Sequence, residues 1–82
     1  MMKNFELEII RPQESKTIQA LWVHVEAAQG SFLVGPGHAN VVSILKQGGE
    51  FRYKSVVEEE CSLKVGEGVF RFTDNKATVL VI

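Results

Sequence analysis

The 82-residue sequence predicts an all-β domain, a β-sandwich or barrel of about nine short strands with mostly antiparallel pairing. Three observations carry that expectation. Short apolar or alternating runs recur along the whole chain, clusters of Gly, Pro, Asp and Asn punctuate them, and no stretch carries the 3.6-residue apolar period of an amphipathic helix. Residues 1–82 are read as one domain, because a second core would leave each half too little apolar surface to bury.

Phe5-Glu6-Leu7-Glu8-Ile9-Ile10 alternates, so Phe5, Leu7 and Ile9 share one face of a first strand, which Arg11-Pro12 ends. Thr17 to Glu26 is rich in β-branched and aromatic residues. Its apolar positions shift from Ile18 and Ala20 to Val23 and Val25, which predicts two short strands joined by a bulge or bend near Leu21. Gln29-Gly30 opens the strand Ser31-Phe32-Leu33-Val34. Gly35-Pro36-Gly37 closes it in a structural turn, the proline presetting φ and glycine free to take positive φ. Val41 to Leu45 forms the next strand, stopped by Gly48-Gly49. Glu50 to Leu63 reads as a hairpin with Glu58-Glu59-Glu60 at a solvated bend. Gly66 to Phe72 and Ala77 to Ile82 flank the turn Thr73-Asp74-Asn75-Lys76 and complete a last hairpin.

Nine Lys and Arg against ten Asp and Glu give a net charge of -1, which concentrates no polyanion and argues against nucleic acid or an anionic membrane as partner. A single cysteine, Cys61, makes no internal disulfide and reads as a small buried hydrophobe. No apolar run approaches the roughly 18 residues that span a bilayer, and Met1-Met2-Lys3-Asn4 leads into alternating residues instead of a signal-peptide core. The chain is expected to be soluble.

Candidate chemistry is sparse. His24 and His38 are the only histidines, whereas a catalytic or zinc site needs three or four converging ligands, so no metal is predicted. Strand alternation points His24 away from the face of Val23 and Val25, toward solvent or a partner. Adjacent strand residues face opposite ways, so Glu58, Glu59 and Glu60 do not converge as an acid and a base. No serine occupies a Gly-x-Ser-x-Gly elbow, and no lysine and helix follow Gly35-Pro36-Gly37 to cradle phosphate. Neither a catalytic residue nor a cofactor is expected.

One sharper alternative is a small β-barrel that binds single-stranded nucleic acid. Phe51-Arg52-Tyr53 and Phe70-Arg71-Phe72 interleave aromatic and basic residues, a pattern that stacks bases while arginine meets phosphate. Alternation instead places each aromatic pair on one face and its arginine on the other, as core aromatics and surface arginines are arranged. Trp22 and Phe32 divide similarly between core and interface.

The segment Gly30-Ser31-Phe32-Leu33-Val34-Gly35-Pro36-Gly37-His38-Ala39 resembles the signature of the ATP synthase epsilon subunit family, in which a short strand runs into Pro-Gly-His-Ala. Leu7 to Ile10, Leu45 followed by Gly48, and Val65 to Val81 are similar to other parts of that family's β-sandwich domain. The resemblance implies a flattened antiparallel β-sandwich, and a non-catalytic central-stalk subunit of an F-type ATP synthase that couples rotation of the membrane c ring to the gamma subunit. It further implies a peripheral location, within the complex, at the cytoplasmic face of the inner (plasma) membrane.

By position, the resemblance places Gln29, Gly30, Ser31 and Phe32 at the c ring and Arg11, His38 and Val42 near gamma. Many relatives carry an acidic residue where this chain has Ser31, so a charge-assisted contact would give way to a neutral hydrogen bond, typically about half as strong. For His38, loop structure and partner contact are both open. The usual member continues into two C-terminal helices that in some cases bind nucleotide or restrain hydrolysis. This sequence stops at Leu80-Val81-Ile82, so neither property is expected of it.

Overall fold

A computed structural model describes residues 3–57 and 59–82. Eight strands follow one another: β1 (Phe5–Ile10), β2 (Ser15–Ala27), β3 (Gly30–Val34), β4 (Val41–Ile44), β5 (Glu50–Ser55), β6 (Glu60–Lys64), β7 (Gly68–Thr73) and β8 (Lys76–Val81). The sheet runs β4-β7-β8-β1-β2-β5-β6, with β3 also paired to β2. It folds over on β2. The first half of that strand pairs with β1 and its second half with β3 and β5, so β2 belongs to both layers of the sandwich.

The crossing explains why eight strands form where nine are predicted. The β2–β5 register shifts between Ala20 and Trp22, so a bulge does lie at Leu21. A bulge bends a strand and exchanges its faces without interrupting it. Ala20 therefore points into the core ahead of it, and Val23, Val25 and Ala27 point into the core after it.

The sheet is also mixed, not purely antiparallel. β1 and β8 run parallel, Glu6 opposite Lys76 through Ile10 opposite Leu80. These two strands lie at opposite ends of the chain and no tight turn joins them, so local turn chemistry carries no information about their orientation. The last hairpin starts and ends slightly off its predicted bounds, with strands over Gly68–Thr73 and Lys76–Val81.

Between the layers lie Phe5, Leu7, Ile9, Val23, Val25, Val34, Phe51, Phe70, Phe72 and Val79, all fully buried. Phe70 is the hub. Its ring centroid lies 5.9 Å from that of Phe51 and 6.2 Å from that of Phe32, while Phe5 meets Phe72 edge-on at 5.4 Å. Such tilted and edge-to-face pairs add roughly 0.5 to 1.5 kcal/mol each to the burial of their surface. Cys61 is only half-buried against this core, less than predicted, because β6 is an edge strand.

Two turns set the ends of the layers. At Gly35-Pro36-Gly37-His38 the His38 amide donates to the Gly35 carbonyl at 3.2 Å and Gly37 has φ 81, a type II turn with proline and glycine in their preferred places. Between β7 and β8, Asp74 (φ 51) and Asn75 (φ 60) form the two-residue turn that matches the twist of a hairpin.

Candidate functional site

The outward side of the layer β4-β7-β8-β1 is apolar at one end. Ile44 pairs with Val69, Val69 with Leu80, and Leu80 with Ile10, so four apolar side chains form one row across four strands. Val42 lies two residues from Ile44 on the same face. Val42 and Ile44 are 68% and 69% exposed, and Val69 and Leu80 about 40%, although β-branched and aliphatic side chains on this scale stabilise a fold when buried. A second row, Val42-Arg71-Thr78-Glu8, and a third, Thr73-Lys76-Glu6, turn the face polar toward the β7–β8 turn.

Charges on this face are distributed unevenly. Lys76 Nζ lies 3.2 Å from Glu6 Oε2 and 3.9 Å from Glu8 Oε1, one cation serving two carboxylates. Arg71 donates from Nε to Thr73 Oγ1 at 3.3 Å and enters no ion pair among the described residues. On the other layer the outward residues are mixed, with Arg52 held by Glu60 at 3.4 Å and Leu33 exposed beside half-buried Trp22 and His24.

Gln29 lies in the β2–β3 turn and Gly30 and Ser31 open β3 beside it, all three exposed, with Gly30 at φ 141. Phe32 instead turns inward, half-buried on Phe70. Val42 stands on the apolar face. Arg11 lies just past Ile10 at the apolar end, 3.7 Å from Glu14, whereas His38 lies beside the β7–β8 turn at the other end, so these three border one face without meeting. A cleft of 250 Å³ lined by Ala27, Ala28, Gln29, Val42, Ser43 and Ile44 joins the β2–β3 turn to the edge of the apolar face.

His38 serves its loop: Nδ1 lies 2.6 Å from the Ala39 carbonyl and the ring meets Phe72 edge-on at 5.9 Å, while the residue stays exposed. His24 faces away from Val23 and Val25 as predicted, but its Nδ1 atom is buried with no hydrogen-bond partner among the described residues. Among the described residues no group of three His, Cys, Asp or Glu could hold a metal ion. Glu59 and Glu60 are exposed at the β5–β6 bend, and Glu58 lies outside the described residues. Phe51, Tyr53, Phe70 and Phe72 are all buried, so the aromatic–basic pattern builds core and offers no platform for stacking bases.

Ile10, Ile44, Val69 and Leu80 are members of the face that the sequence reading did not single out, and Arg71 entered it only as the surface arginine of the Phe70-Arg71-Phe72 pattern. A signal was present in consecutive apolar pairs such as Val69-Phe70 and Leu80-Val81, because alternation obliges one member of each pair to face out.

Fold and surface together define a two-layer β-sandwich module with one sheet face left apolar toward solvent. Residues 4–82 match the family model for the ATP synthase Delta/Epsilon chain, β-sandwich domain, and the chain belongs to that family. Among solved structures it is similar to a chain in the central stalk and c ring of the Tetrahymena thermophila mitochondrial ATP synthase, with TM-score 0.80 and 11% identity. It is similar also to a chain of the Euglena gracilis mitochondrial ATP synthase assembly of OSCP, F1 and c ring, with TM-score 0.85 and 16% identity. The matches cover 98% and 95% of this chain but 64% and 50% of those chains, and at such identities the likeness is one of fold. No curated protein matches the sequence.

Proposed function

We propose that residues 1–82 form one domain that works in the rotor of an F-type ATP synthase, coupling rotation of the membrane c ring to the gamma subunit. The observation that carries this reading is the apolar row Ile44-Val69-Leu80-Ile10 with Val42 beside it, an exposed strip on a rigid sheet. Gamma covers that face, with Val42 inside the contact and Arg11 and His38 at its two ends. The exposed turn Gln29-Gly30-Ser31 meets the polar loops of the c ring, with Phe32 anchoring the turn to the core from below.

The cleft between Gln29 and Ile44 supports this placement, because it sets the two contact regions side by side at one edge. A part that transmits torque must not shear between its contacts. The covalent run of β2 through both layers provides that stiffness, and the Leu45 bridge to Ala27 ties β4 to the same strand. Two interfaces of about 800 Å² each would cover about a third of the 5144 Å² accessible surface. In this role the domain makes and breaks no bond, needs no cofactor, and reaches the cytoplasmic face of the membrane only through the complex, which carries the ion flow.

The test is binding to gamma by Val42→Glu and Ile44→Glu, with Lys54→Glu on the opposite layer as control. The two face variants lose at least about tenfold in affinity while the control retains it, since a charge buried unpaired in an interface is costly. Equal affinity in all three removes gamma from this face. Separately, Ser31→Cys forms a cross-link to the c-ring loops in the assembled enzyme, and a cross-link only to gamma reverses the assignment of the turn.

A further inference from the structure

The distribution of charge and apolar surface about β8 carries a consequence for the chain before it meets gamma. On the outward face β8 contributes Leu80 and Thr78. β7 on one side contributes Val69 and Arg71, and β1 on the other contributes Ile10 and Glu8, each directly paired with the β8 residue between them. Arg71 and Glu8 thus stand at equal and opposite offsets from Thr78, about 4.8 Å to either side. Val69 and Ile10 stand likewise about Leu80.

We propose that this face is complementary to itself, and that the free chain pairs with a second copy through it about a two-fold axis lying along β8. Such an axis exchanges what lies over β7 with what lies over β1. Arg71 of each copy then meets Glu8 of the other, Val69 meets Ile10, and on the axis Leu80, Thr78 and Lys76 each meet their own counterpart, the two Lys76 ammonium groups flanked by Glu6 and Glu8 of both copies. An isologous contact requires opposite charges at exchanged positions, since equal charges there would repel twice. Among the described residues the exchanged positions carry one cation without an ion pair and one carboxylate whose cation, Lys76, is shared and lies at 3.9 Å, the longer of its two arms. Val42 and Ile44 face Thr17 and Ser15, which pair with Glu8 and Ile10 at the near end of β2.

Four strands about 4.8 Å apart and three rows about 6.7 Å apart give a contact on the order of 400 Å² per copy. Stable specific interfaces bury about 800 Å² per partner, so the pair is weak and forms only at high concentration of the chain. It shields the apolar row in the unassembled chain and yields to a larger partner on the same face. The pairing rests on the face alone and not on gamma being its final occupant.

Sedimentation of the chain from about 20 µM to 2 mM tests it, with the charge variants Arg71→Glu and Glu8→Arg. The unmodified chain rises with concentration toward twice the monomer mass. Each variant alone stays monomeric at least about fivefold higher in concentration, because it places like charges together twice. Mixed in equal amounts the two variants associate again to within about twofold of the unmodified chain, since both exchanged positions then carry opposite charges. A monomer across the whole range, or a mixture no better than its components, overturns the proposal. Circular dichroism identical to the unmodified chain shows that neither variant acts by unfolding. Loss of gamma binding with the pairing intact would count against the rotor reading alone.

Discussion

The amide of Gly37 donates to Asn75 Oδ1 at 3.0 Å, which ties the turn before β4 to the turn between β7 and β8 across 38 residues of chain. Asn75 also donates from Nδ2 to the Asn4 carbonyl at 3.4 Å, and the Asp74 amide reaches Asn40 Oδ1 at 3.2 Å. Three segments that enter β4, β8 and β1 are therefore held at a common height. That height sets Val42 opposite Arg71 and Leu80 opposite Ile10, and so composes the apolar row.

Asn75 has φ 60, so two replacements separate its two roles. Asn75→Gly keeps the backbone conformation and removes the hydrogen bonds, and it lowers stability by about 1 kcal/mol. Asn75→Ala adds the left-handed penalty, for a total of about 2 kcal/mol. Thermal unfolding reads these as losses of about 4 to 8 °C per kcal/mol. Equal melting of both variants and the parent would show that the turn needs neither role.

Gly68 and Gly35 make a second contrast. A Cβ on Gly68 would collide with the Leu80 carbonyl on the paired strand and stand 3.0 Å from Leu45 Cδ1, whereas one on Gly35 meets nothing within 4 Å. Backbone cannot yield as a side chain does without parting β7 from β8. Gly68→Ala therefore costs about 3 kcal/mol, while Gly35→Ala stays within about 0.5 kcal/mol of the parent in urea denaturation. A mild Gly68→Ala would mean that the β7–β8 ladder opens more readily than its pairing implies.

Phe70→Ala removes the ring that Phe51 and Phe32 both contact and costs about 3 to 5 kcal/mol. Domains of this size hold roughly 4 to 12 kcal/mol in all, so about a quarter or more of the stability goes with it. Phe32→Ala, at a half-buried site, costs less than half as much. The urea midpoints rank the two, and the reverse order would move the hub of the core toward β3.

Local patterns were legible where one face is buried or one turn demands a residue type. Phe5, Leu7 and Ile9 announce β1 because a half-buried strand must alternate, and Pro36-Gly37 and Asp74-Asn75 announce turns through φ alone. The switch of apolar positions at Leu21 announced the bulge but not that β2 continues through it. The parallel pairing of β1 with β8, and the row Ile44-Val69-Leu80-Ile10 that depends on it, are products of register between strands far apart in sequence. No local pattern encodes such a register. Val42 entered through a family resemblance, while its four neighbours needed the topology.

Glu26 offers the most local test of how the sandwich closes. Its Oε1 accepts from the Glu50 amide at 2.8 Å while its carbonyl accepts from the Lys46 amide at 2.8 Å, so one residue of β2 grips both ends of the loop that leads into β5. A Cβ on Gly49 would stand 2.8 Å from that same carboxylate oxygen, which is why the loop passes Glu26 with a glycine. Glu26→Gln keeps an acceptor and gives up its charge, whereas Glu26→Ala leaves the amide to water. A hydrogen bond to a charged group contributes about 1.5 to 3 kcal/mol. Hydrogen exchange at the Glu50 amide consequently rises about tenfold or more in Glu26→Ala and by a smaller factor in Glu26→Gln, with exchange at Phe70 unchanged relative to global stability. Equal protection of Glu50 in all three proteins would show that the β4–β5 loop is held by its own backbone bonds, Gly49 amide to Lys46 carbonyl at 3.0 Å and Gly48 amide to Val65 carbonyl at 2.8 Å, without the side chain.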